Sequence, residues 1–170
     1  MRQKSLEQIF EALNRADVLY LVVGGLAVVV AHGYVRFTAD LDLILDMDEG
    51  NLTKAMNAFD SMGYRPRAPV RIMEFVDSKT RDRWVREKGL TVFSLWSEQH
   101  PGTEIDIFVE PPISFEKAYR SSIRLEVGHQ VEAAVIGIDD LISLKEKAGR
   151  PRDLEDIDKL RVLKREQTDG

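Results

Sequence analysis

Two aspartates separated by a single residue, Asp40 and Asp42, open the apolar segment 40–45. In a β-strand successive side chains point to opposite faces, so both carboxylates would lie on one face and the leucines of the segment on the other. Carboxylates at this spacing, with about 7 Å between their Cα atoms, can bind one divalent cation or two cations about 3.5–4 Å apart. Because Mg²⁺ is usually bound by one or two carboxylates together with substrate phosphates, the pair predicts phosphate chemistry.

A double glycine, Gly24-Gly25, follows the apolar run 19–23, which is typical of a strand covered on both faces. Glycine lets the backbone approach a ligand closely, and the N–H groups at the start of a helix expected at 26–31 would favour an anion. Taken alone, a double glycine is more often a simple tight turn, and two strand-edge aspartates are more often solvated. In this order along the chain, the two motifs predict a phosphate cradle that faces a metal site.

Arg36 lies between these motifs. Its guanidinium could orient one of the aspartates or contact a phosphate, which makes it a candidate for nucleotide binding. His32, at the expected end of the helix before Gly33, is interpreted as structural.

A third carboxylate, Asp106, lies in a segment that alternates acidic and apolar residues, 104–109. As a strand, this segment would place Glu104, Asp106 and Phe108 on one face. Laid beside the strand at 40–45, it would bring Asp106 to the first two aspartates. Three carboxylates so close together would repel one another without a cation, which is a further reason to expect a metal.

These motifs resemble the signature of the DNA polymerase beta-like nucleotidyltransferase superfamily. The closer resemblance is to its small bacterial and archaeal branch, which includes the toxin nucleotidyltransferases of abortive-infection and type IV toxin–antitoxin systems. The residues that carry the resemblance are Gly24, Gly25, His32, Gly33, Arg36, Thr38, Asp40, Asp42 and Asp106.

The resemblance implies a role for each matched residue. The double-glycine turn would hold the triphosphate of an NTP, with Arg36 and Thr38 beside it. Two Mg²⁺ or Mn²⁺ ions would be bound by the three carboxylates Asp40, Asp42 and Asp106. Lys145 matches a lysine that contacts nucleotide phosphates, and two acids near that lysine are matched by Asp153 and Asp156.

The expected activity is transfer of a nucleoside monophosphate from an NTP, ATP among them, to a hydroxyl acceptor such as RNA, tRNA or a protein. The closer branch adds the expectation of a toxin with an antitoxin partner. Two alternatives stay open: a nucleotidyltransferase that modifies a small molecule of the antibiotic type, and a non-catalytic protein that binds nucleotide. The identity of the NTP and the acceptor and the oligomeric state have no residue signature.

Composition limits the function classes. The 170 residues, 44% of them hydrophobic, fit one nucleotidyltransferase core at 1–136 with a helical extension at 137–170. A chain without cysteine, with a polar N-terminus and a glycine-broken apolar run, is expected to be cytoplasmic and independent of membranes. A net charge of −5 argues against an extended DNA-binding surface.

One segment, 65–88, departs from this acidic balance with eight basic and four acidic residues. It could hold a polynucleotide backbone or be a solvated face.

The sequence predicts an α/β fold in which helices flank a small mixed sheet and a helical hairpin ends the chain. Further helices are expected at 5–14, 51–62, 114–121 and on both sides of a Gly-Arg-Pro break at 149–151. Further strands are expected at 71–76, at 90–96 and twice within 123–135. The segment 78–87 is expected to form a short helix or a lid-like loop.

Overall fold

The computed structural model describes residues 3–25, 27 and 40–170. Arg36, Thr38, His32 and all but one residue of the helix expected at 26–31 lie outside the described residues.

Within the described residues, strands and helices fall close to the predicted segments. The strands are β1 Tyr20–Val23, β2 Asp40–Leu45, β3 Arg65–Pro66, β4 Val92–Trp96, β5 Glu104–Phe108, β6 Ile123–Glu126 and β7 Glu132–Val135. The α-helices are α1 Gln3–Arg15, α2 Glu49–Ser61, α3 Ser78–Lys88, α4 Phe115–Arg120, α5 Ile138–Ala148 and α6 Pro151–Thr168, and a 3-10 helix spans Ile72–Val76.

The described strands form one mixed sheet in the order β3-β4-β5-β2-β1-β7-β6. Two pairs, β2 with β5 and β1 with β7, are parallel, and the others are antiparallel. The parallel β2/β5 pair lies at the middle of the sheet and joins the two segments in which the carboxylates were predicted. The predicted α/β fold, a mixed sheet with flanking helices and a C-terminal helical hairpin formed by α5 and α6, is confirmed.

The apolar residues of the central strands position the polar ones. Leu41, Leu43, Ile105 and Ile107 are fully buried. Because side chains alternate along a strand, burying these residues on one face places the acidic residues between them on the other. α1 contributes to the same core. The ring of its Phe10 stacks on the ring of Tyr20 of β1, with 5.7 Å between the two centroids.

A polar side chain near the start of each of the first two described helices makes a defined contact. Asp48 caps α2 by accepting a hydrogen bond from the Asn51 N–H at 3.2 Å, as expected for an acid at this position. The helix expected from residue 5 already includes residues 3 and 4, so Ser5 lies inside α1, where its hydroxyl is 3.1 Å from Nδ1 of the buried His100.

The strand expected at 71–76 is wrong, because the segment forms the 3-10 helix. Its buried side chains, Ile72 and Phe75, are three residues apart rather than two. The Glu74 carboxylate accepts a hydrogen bond from the Arg71 N–H at 2.6 Å, which favours a turn over an extended chain. The buried Arg81 of α3 donates to the carbonyls that end this turn, those of Phe75 and Val76. The segment expected as a helix or a lid-like loop is helical, as α3.

No helix in the described part of the chain combines the length and the apolar character needed to cross a membrane.

Candidate active site

The parallel pairing of β2 and β5 brings the predicted carboxylates together. Asp42 lies opposite Asp106 and Asp40 opposite Glu104 in the strand register. Directly paired residues share one face of a sheet, so the four acidic side chains form two adjacent cross-strand pairs. Asp42 is half-buried and Asp40, at the start of the strand, is exposed.

This arrangement makes the charge on Asp42 unfavourable. Burial first, and then the negative charges of Asp106 and Asp40, raise the pKa of the Asp42 carboxyl to about 7, whereas Arg150 and Lys145 oppose the shift. The pKa of Asp40 is raised by its partial burial and then by Asp106 and Glu104. A site whose carboxylates resist ionisation at neutral pH is one that a cation would stabilise.

Gly24 contacts the Asp42 carboxylate. The adjacent Val23 pairs with Asp42 across β1 and β2, and the backbone of Gly24 has a φ of +76°. A Cβ atom at this position would collide with the carboxylate group of Asp42. The first glycine of the motif is therefore required both by the backbone conformation and by the space that Asp42 occupies. Gly25, beside it, is half-buried.

The C-terminal hairpin places a buried lysine beside these groups. Lys145 Nζ lies 2.9 Å from Asp156 Oδ2 and 3.6 Å from Asp153 Oδ1, and all three residues are buried. Gly149 ends α5 in the left-handed conformation, and the Asp153 carboxylate accepts a hydrogen bond from the Arg150 N–H at 3.2 Å at the start of α6. This break turns the chain so that both helices contribute to one ion-pair cluster.

A cleft of about 570 Å³ joins the groups described so far. The sheet contributes the carboxylates of Asp42 and Asp106, the hairpin contributes Lys145, Lys147, Arg150 and Asp153, and apolar side chains line most of the rest. The residues that line it are Val23, Gly24, Asp42, Thr91, Val92, Asp106, Phe108, Pro112, Leu141, Leu144, Lys145, Lys147, Ala148, Arg150 and Asp153. The cleft thus offers both an anionic site for a metal and cationic side chains for phosphate.

Two residues of this site were not predicted from the sequence. The Ser94 hydroxyl donates a hydrogen bond to Oδ1 of Asp106, its directly paired neighbour on β5. Arg150 lines the cleft, and its Nε lies 3.1 Å from Asp153 Oδ2. Ser94 stands out as the polar residue in the otherwise apolar β4, but nothing in one sequence specifies which residue it opposes.

The donor set fits a hard divalent cation such as Mg²⁺. Among residues 3–25, 27 and 40–170, no three His, Cys, Asp or Glu side chains are arranged as a complete metal-binding cluster. Asp42 and Asp106 provide a carboxylate pair, and Mg²⁺ completes its shell with substrate phosphate oxygens and water rather than with further protein ligands.

The basic segment at 65–88 divides between the two faces of the sheet. Trp84 of α3 stacks on Phe93 at 5.5 Å between ring centroids, and Phe93 precedes Ser94 on β4. Because successive strand residues face opposite ways, α3 packs behind the sheet, away from Asp106. At the other end of the segment, Arg67 forms an ion pair with Glu104 on the carboxylate face.

Comparison of the whole chain with known proteins agrees with this geometry. No curated protein gives a match. A family model described as "Nucleotidyltransferase of unknown function (DUF6036)" matches residues 3–169, nearly the whole chain. The chain therefore belongs to this family of nucleotidyltransferases.

Proposed function

We propose that the protein transfers a nucleoside monophosphate from an NTP to a hydroxyl-bearing acceptor and releases pyrophosphate. One observation carries the proposal: the cleft brings the Asp42/Asp106 pair together with Gly24, Lys145 and Arg150. Carboxylates for a metal and cations for a polyphosphate are the two requirements of this reaction.

In this proposal the acceptor oxygen forms a bond to the α-phosphorus, and the bond between that phosphorus and the bridging oxygen to the β-phosphate breaks. The Asp106 carboxylate, oriented by the Ser94 hydroxyl, accepts the proton of the acceptor hydroxyl. Lys145 and Arg150 neutralise the charge on the leaving pyrophosphate.

The nucleotide would lie across the start of the segment after β1. Gly24 and Gly25 admit the phosphates to the backbone. Arg36 and Thr38, outside the described residues, are proposed as further nucleotide contacts. Asp40, Asp42 and Asp106 would hold two Mg²⁺ or Mn²⁺ ions, which when bound would neutralise charge at the α-phosphate.

We further propose that the protein is a cytoplasmic enzyme that acts as a toxin on RNA, tRNA or a protein and is silenced by an antitoxin. The support for this role is the resemblance to toxin nucleotidyltransferases. Induced expression of the wild type would then arrest growth, whereas expression of Asp42→Asn would not. Equal growth with both chains would contradict the toxin role and leave the transfer reaction standing.

The reaction itself is tested with purified protein, each α-labelled NTP in turn, Mg²⁺ or Mn²⁺, and total cellular RNA. The expected result is label in RNA or protein with the wild type and none with Asp42→Asn. Pyrophosphate release that appears only when a small-molecule acceptor is added would favour the antibiotic-type alternative. Metal-dependent nucleotide binding without release under any condition would favour the non-catalytic alternative and overturn the proposal.

A further inference from the structure

The carboxylate face of the sheet continues past Asp106 onto β4 and β3 with a different chemistry. Ser94 pairs with Asp106, and Trp96 lies two residues further along β4, so its ring is on the same face. Arg65 of β3 pairs with Trp96 and therefore shares that face. The face thus changes from acidic on β2 and β5 to aromatic and basic on β4 and β3.

Arg67 completes this region. Its guanidinium carbon lies 5.6 Å from the centroid of the Trp96 ring, and its Nε donates to Glu104 Oε2 at 3.3 Å. The Arg67 side chain nevertheless stays 53% exposed. An ion pair therefore holds the guanidinium over an aromatic ring, and about half of the side chain stays accessible to a ligand.

A second cleft, of about 350 Å³, opens beside this stack and is lined in part by Arg67, Trp96, Thr103 and Glu104. Glu104 is two residues from Asp106 on the same face of β5, which corresponds to about 7 Å along the strand. The first cleft, which is lined by Asp42 and Asp106, and the second cleft, which is lined in part by Glu104, are therefore adjacent.

We propose that the surface formed by Arg65, Arg67 and Trp96, the arginine–tryptophan surface, binds a single-stranded nucleic acid as the acceptor. An unpaired base stacks on the exposed guanidinium plane of Arg67, and Arg65 contacts a backbone phosphate. This inference rests on the proposed function, because a terminal hydroxyl of the strand would then lie toward Asp106. A planar cation over an aromatic ring, with a second cation beside it, favours stacked bases and phosphates over a protein chain.

The test measures binding separately from catalysis. A fluorescein-labelled single-stranded RNA of about 12 nucleotides is titrated with full-length protein in EDTA, without NTP, at several salt concentrations. Fluorescence anisotropy gives the affinity. An RNA hairpin with the same base composition tests the preference for unpaired bases.

Two variants separate stacking from charge. Arg67→Lys keeps the charge and the ion pair with Glu104 but removes the guanidinium plane, so affinity is expected to fall about tenfold with the salt slope unchanged. Arg65→Gln removes one phosphate contact, so the slope of log K against log[salt] is expected to fall by about 1. The matched control is Arg83→Gln, because this exposed arginine lies on α3 behind the sheet; it is expected to bind as the wild type.

Equal effects of Arg83→Gln and Arg65→Gln, or no loss with Arg67→Lys, would overturn the proposal. So would tighter binding of the hairpin than of the single strand. These outcomes are distinct from a failure of the proposed function. If RNA binds through this surface but no NTP is ever turned over, the proposed transfer reaction is wrong. If pyrophosphate is released with another acceptor and RNA does not bind, the proposed role of the arginine–tryptophan surface is wrong.

Discussion

At the scale of single residues, the raised pKa of Asp42 links the stability of the fold to pH. The carboxyl titrates near its ordinary value of 3.8 in the unfolded chain and at about 7 in the folded protein. Between these values the folded state holds a proton that the unfolded state has released, so the free energy of unfolding falls as the pH rises. The stabilisation is complete below about pH 4 and is lost by about pH 7.

In metal-free buffer, Asp42→Asn is therefore expected to be more stable than the wild type by roughly 2–4 kcal/mol at about pH 8, and to lack this decline. Urea unfolding across the pH range measures both effects. Saturating Mg²⁺ should stabilise the wild type at about pH 8 and leave Asp42→Asn unchanged, since only the wild type keeps the full charge that would attract the ion. Asp60→Asn, at an exposed position on α2, is the control.

A wild type whose stability in EDTA is the same at both ends of this pH range would contradict the assignment of a half-buried, mutually repelling carboxylate pair. An equal response of both chains to Mg²⁺ would show that the ion binds elsewhere.

Gly24→Ala is expected to abolish NTP binding, because the added methyl group meets the Asp42 carboxylate. Gly89 gives a matched control: its φ is +60° and nothing lies within 4 Å of an added Cβ atom. Gly89→Ala should lose only about 1–2 kcal/mol of stability through backbone strain and should bind NTP as the wild type does. Calorimetric titration with NTP compares the two, and equal affinity would contradict a phosphate-binding role for Gly24.

At the scale of elements, the hairpin of α5 and α6 contains a buried ion-pair cluster, and removing one partner from it is expected to destabilise the fold. Lys145→Met leaves Asp153 and Asp156 buried without the cation that lies between them. Removing one partner of a buried ion pair typically costs about 3–5 kcal/mol. We expect a loss of this size in chemical denaturation, together with weaker NTP binding.

Lys164→Met, on the other helix of the hairpin, serves as the control, since its ion pair with Asp139 is on the surface and is worth about 0–1 kcal/mol. The double variant Lys145→Met/Asp156→Asn should recover part of the stability and none of the NTP affinity. Full recovery of NTP affinity in the double variant would show that Lys145 acts only through packing.

Helices and strands whose apolar residues recur at a regular spacing could be predicted from the sequence. Elements whose conformation depends on particular side-chain contacts could not. α1, β2 and β5 follow from apolar residues at helical or strand spacing. The segment at 71–76 has an ambiguous pattern, and its 3-10 form depends on the contacts of Glu74 and Arg81. Likewise, the hydrogen bond from Ser94 to Asp106 depends on a strand register that no local pattern encodes.

At the scale of the molecule, the division into a core at 1–136 and a helical extension at 137–170 stays a prediction. Leu141 of α5 and Leu160 of α6 are buried in the same hydrophobic core as the central strands. A chain that ends at residue 136 would expose the apolar surface that these leucines cover. It is expected to bind a hydrophobic dye and to unfold without a cooperative transition, whereas the full chain should show one transition. A cooperative transition in the shortened chain would establish an independent core domain.

The parallel register of β2 and β5 has a consequence for synthesis of the protein on the ribosome. Asp42 and Asp106 are paired across more than sixty residues of chain, a contact of high sequence separation. Closing such a long loop is entropically costly and slow, and Lys145 emerges later still. A nascent chain that has exposed only its glycine and aspartate motifs holds no assembled cleft, so the cleft forms only after Lys145 has left the ribosome.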